Sequence, residues 1–158
     1  MKKYVFEIKW GIIFAICGLL WMMMEKALGW HDELIEKHAI YTNFFAIIAI
    51  AVYIVALLDK RKNYYKGKMT WLQGFLSGIG ITIVVAVLSP LTQYITSTII
   101  TPEYFPNVIN ASVDLGLKSR LDDDIYLSLK NYIIQSVIGA LVMGTVTSAI
   151  VAVFVRKK

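Results

Sequence analysis

Four long runs of apolar residues divide the chain, and shorter polar segments separate them. The hydrocarbon core of a bilayer is about 30 Å thick, so a helix of roughly 20 mainly apolar residues crosses it. Each run is long enough, and none alternates polar and apolar residues as the strands of a membrane β-barrel do. The pattern therefore predicts four membrane-spanning helices, at residues 10–28, 39–58, 71–95 and 132–155.

Small residues recur within each predicted span at helical spacing, so many of them share one helix face. In a membrane, small residues on such a face let two helix backbones approach closely. We therefore expect an all-α fold, an integral membrane four-helix transmembrane bundle formed by residues 1–158 as a single domain. The glycines expected at helix–helix contacts are Gly11, Gly18, Gly74, Gly78, Gly139 and Gly144.

The composition agrees with four membrane spans, and the distribution of charge also predicts how the spans are oriented. Hydrophobic residues make up 58% and charged residues 17% of the chain, whereas soluble proteins average about 45–50% and 25%. The net charge of +5 taken alone would be compatible with nucleic acid binding. However, most lysines and arginines lie beside span ends, at residues 2–9, 60–68 and 156–158. This bias predicts a bacterial inner-membrane protein with both termini in the cytoplasm, and no nucleic acid partner.

The predicted cytoplasmic loop between the second and third spans is strongly basic, with five lysines or arginines between Lys60 and Lys68. Basic residues close to a bilayer attract anionic lipid headgroups. We therefore expect membrane lipids, with anionic headgroups near Lys60–Lys68, as partners. The simpler interpretation is that these charges only fix the topology.

The second outer segment, residues 101–131, is long for a connection between spans. Thr101, Pro102 and Glu103 form a typical helix start, with an N-cap, a proline at the first helical position and an early acid. Apolar residues follow at helical spacing, which predicts a short amphipathic helix on the outer membrane surface or over the end of the bundle. The apolar face is formed by Phe105, Val108, Ile109, Ser112 and Leu115.

Three consecutive acids, Asp122–Asp124, precede the fourth span. We expect a solvated linker in which Asp124 caps the last helix. Binding of a divalent cation is the alternative, but consecutive side chains on a helix do not face one another.

A set of polar residues is predicted near the outer ends of the four spans. Such residues are costly inside a membrane, and they often mark a functional site. We therefore treat them as a candidate polar cluster, which would make the outer half of the bundle polar inside. The alternative is structural, because polar groups cost least at helix ends. The candidate residues are Glu25, His38, Asn43, Gln93 and Gln135.

No nucleotide-binding, metalloprotease or nucleophile-elbow motif is present. The single cysteine, Cys17, excludes a disulfide framework and a thiolate metal site, and His31 and His38 are the only histidines. We therefore assign no catalytic residue, no cofactor and no metal site. The expected function is that of a non-enzymatic accessory protein, which assembles with other membrane proteins or as a homo-oligomer. The alternatives are a small proton- or cation-coupled transporter that uses the polar cluster around Glu25 and, less favoured, a lipid-handling enzyme.

Several segments of the sequence resemble one bacterial membrane family. The most specific are MTWLQGFLSG at Met69–Gly78 and ITPEYF at Ile100–Phe105, and EIKWG at Glu7–Gly11 adds to them. The family is domain of unknown function 4199, typical of Bacteroidetes, and the resemblance covers nearly the whole chain. It implies a four-span inner-membrane protein and brings no activity and no functional residues with it.

Overall fold

The computed structural model describes residues 4–114 and 128–157, and the described part is helical apart from its connections. A 3-10 turn at Thr42–Phe44 joins the second and third helices, and a π turn at Thr96–Ile100 extends the fourth. The predicted acidic run Asp122–Asp124 lies outside the described residues. The helices are α1 (Val5–Ala27), α2 (Ile35–Tyr41), α3 (Phe45–Asn63), α4 (Trp71–Ile95), α5 (Tyr104–Asp114) and α6 (Leu129–Val155).

Four helical segments are long and apolar enough to cross a membrane: α1, α2 with α3, α4 with its π turn, and α6. This confirms the predicted all-α fold with four spans, and the chain is a multi-pass membrane protein. We name the end of the bundle that holds α2 and α5 the α5 end. The opposite end, where Lys60 and Arg156 lie, is the basic end.

Most of the buried core lies toward the basic end, where α4 and α6 pack more closely than any other pair of described helices. The core includes Trp10, Tyr53, Leu57, Ile81 and Val151. Inside it, the Tyr53 hydroxyl lies 2.8 Å from Thr82 Oγ1 in a buried hydrogen bond. Tight packing and internal hydrogen bonds thus characterise the core in this half of the bundle.

Small residues create the close approach of α4 and α6. A Cβ atom placed on Gly78 would lie 2.5 Å from Ser148 Oγ, and one on Gly144 would lie 2.5 Å from Thr82 Oγ1. Gly74 approaches Ala152 in the same way, at 3.2 Å. These distances are shorter than carbon and oxygen atoms tolerate, so each glycine lets the opposing helix come nearer. Gly11 has the same role on α1, where a Cβ would lie 2.4 Å from Val84 Cγ1.

Two predicted contact glycines differ from the others. A Cβ on Gly139 would meet no atom of residues 4–114 or 128–157 within 4 Å, so its assignment as a packing residue is wrong for the described bundle. Gly139 lies one position before Ala140 and therefore on a face rotated by about 100° from the one that Ala140 and Gly144 share. Gly18 also has room, since its nearest neighbour would be Phe45 Cζ at 3.8 Å.

A buried ion pair holds α1 to α3 at the basic end. Lys60 Nζ donates to Glu7 Oε1 at 2.6 Å, and the two side chains are 3% and 10% exposed. This pairing explains why α1 extends back to Val5, before the predicted start at residue 10, since Glu7 lies in the bundle interior. Arg61 donates to the Val155 carbonyl at 2.7 Å. Lys60 and Arg61 thus contact the protein, and the expected lipid-facing charge is reduced to Lys62, Lys66 and Lys68, which are exposed.

The start of α6 differs from the predicted one. The N-cap is Ser128, whose side chain accepts a hydrogen bond from the backbone N–H of Asn131, so the prediction that Asp124 caps this helix is wrong. A cap must lie directly before the first helical residue, and α6 begins at Leu129.

The predicted short helix is present as α5, but it starts at Tyr104 instead of following Thr101 directly. The backbone N–H of Thr101 donates to the Thr96 carbonyl at 2.8 Å, so Thr101 closes the π turn. Tyr104 and Phe105 pack against Tyr132 of α6 with ring centroids 6.2 and 4.9 Å apart. The helix therefore lies over the end of the bundle, one of the two predicted positions.

We expect Gly78→Ala to destabilise the bundle by about 1–3 kcal/mol, because overpacked contacts typically cost that much. The new methyl group would overlap Ser148 Oγ and Cβ, and α4 and α6 would have to separate. Gly139→Ala is the matched control, since it gains the same helix propensity and meets no neighbour. Denaturant unfolding in detergent micelles measures both variants, and equal stability would contradict the packing role of Gly78.

Lys60→Met should destabilise the protein by about 3–5 kcal/mol, because it leaves the Glu7 carboxylate buried without its cation. The Oε2 atom of Glu7 has no hydrogen-bond partner among the described residues, so nothing near it replaces the lost charge. The double variant Glu7→Gln, Lys60→Met should recover most of the loss in the same unfolding measurement. A double variant no more stable than Lys60→Met would contradict this explanation.

Candidate functional site

The site begins with Glu25, which lies in the last turn of α1 and is fully buried at 0% exposure. Trp21 is one helical turn earlier on the same face, and its indole Nε1 donates to Glu25 Oε1 at 2.6 Å. One carboxylate oxygen is therefore held by a neighbour on the same helix. The other oxygen, Oε2, is turned toward residues that follow α1.

A tight turn after α1 returns the chain to Glu25. Gly29 adopts a positive φ of 74°, a conformation that glycine reaches without strain, and the Trp30 N–H donates to the Glu25 carbonyl at 3.0 Å. His31 then lies beside the carboxylate, with Nε2 3.0 Å from Glu25 Oε2. His31 is also 0% exposed, so this loop residue is as deeply buried as the helix residue it contacts.

The second histidine comes from α2. His38 Nε2 lies 3.2 Å from the same Glu25 Oε2, and the two imidazole rings are in edge contact at 4.9 Å. On its other side, His38 Nδ1 lies 3.2 Å from the Tyr104 hydroxyl of α5. Glu25, His31 and His38, which we name the Glu25 cluster, thus connect α1, the following loop and α2, with α5 above them.

The charge of the Glu25 cluster requires a cation. Among the described residues, the only side chains that form an ion pair with Glu25 are His31 and His38. A carboxylate far from water is strongly disfavoured unless a positive charge compensates it. With both histidines neutral the cluster carries one net negative charge, so either a proton on an imidazole or a bound cation must balance it.

The side-chain atoms of the Glu25 cluster that could bind a metal ion lie close to one another. The Glu25 cluster offers one carboxylate oxygen and two imidazole nitrogens, all within 4.8 Å of one another. Tetrahedral Zn²⁺ with bonds of about 2.0–2.1 Å separates its ligand atoms by about 3.3 Å. The two Glu25–histidine distances, 3.0 and 3.2 Å, already match that separation. The remaining histidine–histidine separation is at most 4.8 Å, so an imidazole has to move toward the other for all three atoms to reach the tetrahedral separation.

Further residues orient these side chains. Metal-binding histidines usually use their second nitrogen to hydrogen-bond a nearby group, which fixes the ring. Tyr104 supplies this group for His38, and its hydroxyl can either donate to Nδ1 or accept from it. Burial raises the pKa of the Tyr104 hydroxyl, and the neighbouring Tyr132 and Glu25 raise it further, so the hydroxyl keeps its proton. His31 Nδ1 is buried without a hydrogen-bond partner among the described residues.

Acidic residues surround a surface cavity next to the Glu25 cluster. Asp32, Glu33 and Glu36 line it, and all three are exposed. Asn107 of α5 donates both to Asp32 Oδ1 at 2.8 Å and to the His31 carbonyl at 3.0 Å, so the cavity and the cluster share a hydrogen-bonded partner. Exposed carboxylates at the entrance of a site raise the local concentration of cations.

A partly open space lies beside the cluster, and we name it the vestibule. It consists of two adjoining cavities of about 260 and 460 Å³ that share Met22, Thr42, Gln93 and Thr96 as lining residues. The smaller cavity reaches down to Phe14, near the middle of α1. The larger one opens beside Tyr104. All four spans contribute to its wall, so the α5 end is less tightly packed inside than the basic end.

The five predicted polar residues divide between these features. Glu25 and His38 belong to the Glu25 cluster, and His38 also borders the vestibule, as do Asn43 and Gln93. Gln135 is exposed and is not a lining residue of the vestibule. It lies one position before Ser136, which does line it, so its side chain points to a different side of α6.

Sequence reasoning did not include His31, Trp21 and Tyr104 in the site. His31 lies in the loop after the first predicted span, so a search for polar residues near the span ends does not include it. A usable signal was present, since both histidines of the chain occur within thirteen residues of the one acid near the end of the first span. No local pattern could have placed Tyr104, because its contact with His38 joins residues 66 positions apart.

The chain belongs to the family described as "Protein of unknown function (DUF4199)", whose family model matches residues 9–157. This membership confirms the family resemblance of the sequence. No curated protein and no solved structure matches the chain. The geometry of the Glu25 cluster and the vestibule therefore carries the functional argument.

Tyr104→Phe should destabilise the α5 end by about 1–3 kcal/mol, because it removes the hydrogen-bond partner of a buried imidazole nitrogen. Tyr94→Phe is the matched control, since Tyr94 is 52% exposed and loses the same hydroxyl group. Hydrogen exchange of the α2 and α5 amides, measured in detergent micelles, should show faster exchange in Tyr104→Phe only. Identical exchange in the two variants would mean that the Tyr104 hydroxyl does not hold His38.

Proposed function

We propose that this DUF4199 protein is a metal-binding, non-enzymatic accessory protein of the bacterial inner membrane, with both termini in the cytoplasm. Glu25, His31 and His38 bind one divalent transition-metal ion, preferably Zn²⁺, on the outer side of the membrane. The observation that carries the proposal is the convergence of one carboxylate and two imidazoles at full or nearly full burial, with no lysine or arginine of the described residues paired to the carboxylate.

The donor set favours zinc over the common hard cations. Mg²⁺ and Ca²⁺ bind mainly oxygen ligands, whereas imidazole nitrogen suits Zn²⁺ and neighbouring transition metals. Two nitrogens and one oxygen leave a tetrahedral ion one further position. The bound dication also balances the Glu25 charge without protonating either histidine, which satisfies the electrostatic requirement of the site.

A stationary structural metal agrees better with the surroundings than a transported one. The ion would tie the end of α1 to the loop and to α2, under the cover of α5. Toward the basic end, the Tyr53–Thr82 hydrogen bond and the close α4–α6 contact fill the interior. These features support an accessory role, in which the metal-stabilised α5 end assembles with other membrane proteins or with a second copy of the chain.

Zinc binding to the purified protein tests the proposal. The protein, carried on a histidine-free affinity tag in lipid nanodiscs, should bind one Zn²⁺ per chain in equilibrium dialysis with metal analysis. Glu25→Gln and His38→Gln should each weaken binding by about 100-fold or more, since even the groups that orient metal ligands are worth about 10–100-fold. Zinc at 100 times its dissociation constant should stabilise the parent protein by about 2.7 kcal/mol, and a chelator should reverse this.

Glu36→Gln is the matched control, because Glu36 is an exposed acid of the neighbouring surface cavity and the change removes the same charge. It should leave zinc affinity unchanged, while far-UV circular dichroism verifies that all variants are helical. A folded parent that binds no stoichiometric zinc would mean that a histidine proton balances Glu25. Zinc flux into proteoliposomes that Glu25→Gln abolishes would instead support the cation-coupled transporter.

A further inference from the structure

We propose that the vestibule is a binding site for a neutral single-chain amphiphile, whose apolar tail enters the deep cavity and whose hydroxylated headgroup lies near Tyr104. The ligand class is that of a monoacylglycerol or a similar uncharged acyl polyol. This inference rests on the lining of the vestibule and does not depend on whether the Glu25 cluster holds a metal.

The polarity of the vestibule changes along its length. The deep cavity has Phe14, Phe45, Val85 and Ala140 among its lining residues. The cavity that opens beside Tyr104 has Asn43, Ser97 and Thr101 instead. Since apolar surface favours hydrocarbon and polar surface favours groups that form hydrogen bonds, the lining complements a molecule with one tail and one polar head.

The depth of the vestibule also suits a tail. Phe14 lies eight residues before Met22 on α1, which places it about 12 Å deeper along the helix axis. Met22 lines both cavities and marks where they adjoin. All four spans contribute lining residues to the deep cavity, so its width is limited by the bundle. A single chain of medium length fits this shape better than the two chains of a phospholipid.

The lining excludes a charged headgroup. Among the described residues that line the vestibule, none is a lysine, arginine, aspartate or glutamate. Moving an ion from water into a site without an opposite charge is strongly unfavourable. His38 is the one lining residue that can carry a charge, and its two nitrogens already face Glu25 and Tyr104.

The side-chain amide oxygens that line the vestibule are suited to accept hydrogen bonds from hydroxyl groups. The amide nitrogen of Gln93 donates to Ser97 Oγ at 3.0 Å, and that of Asn43 donates to the Ala39 carbonyl at 2.6 Å. Neither amide oxygen has a hydrogen-bond partner among the described residues. The oxygen of the half-buried Gln93 and that of the exposed Asn43 are two acceptors that match the O–H donors of a glycerol or another polyol.

Photolabelling of the protein in phosphatidylcholine nanodiscs tests the site. The probe is monodecanoylglycerol with a diazirine in its tail, and mass spectrometry of the digested protein locates the labelled residues. Label should appear at the deep lining residues, such as Phe14 and Val85. Unlabelled monodecanoylglycerol should compete at least ten times better than decanoate or decylamine, which have the same tail length and carry a charge.

Two substitutions of α6 separate the vestibule from the lipid-facing surface. Ala140→Phe fills the deep cavity and should reduce labelling by at least tenfold, whereas Val142→Phe, at a position 55% exposed, should leave it unchanged. Gln93→Leu should weaken competition by unlabelled monodecanoylglycerol, because it removes an acceptor for the headgroup hydroxyls. If labelling occurs only on exposed positions such as Ile138, or if Ala140→Phe labels like the parent, bulk lipid contact explains the signal and the site is refuted.

Zinc dialysis on the same samples keeps this inference distinguishable from the proposed function. Ala140→Phe should bind zinc like the parent, because Ala140 lines the deep cavity and none of Glu25, His31 and His38 does. Loss of labelling with retained zinc binding supports a separate amphiphile site. Equal competition by decanoate would overturn the assignment to neutral amphiphiles, whatever the zinc result.

Discussion

Burial of the Glu25 carboxylate is the constraint on which the architecture of the α5 end depends. A charge at 0% exposure requires compensation and a full set of hydrogen bonds, and nothing on α1 itself can supply more than the Trp21 contact. The remaining partners must come from other parts of the chain. The turn at Gly29, the loop position of His31, the orientation of α2 and the placement of Tyr104 over His38 all follow from this requirement.

The two ends of α1 meet the same problem in different ways. Glu7 and Glu25 are eighteen residues apart, about five full helical turns, so both carboxylates lie on one face of the helix and point into the bundle. At the basic end, Lys60 reaches Glu7 and forms a direct ion pair. At the α5 end two histidines take the place of the lysine. A lysine gives a permanent positive charge, whereas imidazoles accept either a proton or a metal ion, so only the α5 end has a choice of cation.

The sequence alone predicts the elements that depend on local pattern. Hydropathy located the four spans, and helical spacing identified Gly78 and Gly144 as positions where backbones approach. It failed where the outcome depends on which face a residue presents or on a distant partner. Gly139 and Gln135 lie one position away from the inner face of α6. The pairing of Glu7 with Lys60 and of Tyr104 with His38 joins residues more than fifty positions apart, and no local pattern carries that information.

Small residues of the spans pack against an opposite helix at some positions and border the vestibule at others. On α4 and α6, Gly78 and Gly144 each meet a side chain of the opposite helix, so that removing a side chain brings the helices together. Gly18 of α1 and Ala140 of α6 both border the deep cavity, together with larger side chains such as Phe14 and Phe45. The polar Gln93 and Asn43 border the part of the vestibule nearer the α5 end, whereas the buried Tyr53–Thr82 hydrogen bond lies toward the basic end, so the two halves of the interior differ in what they can hold.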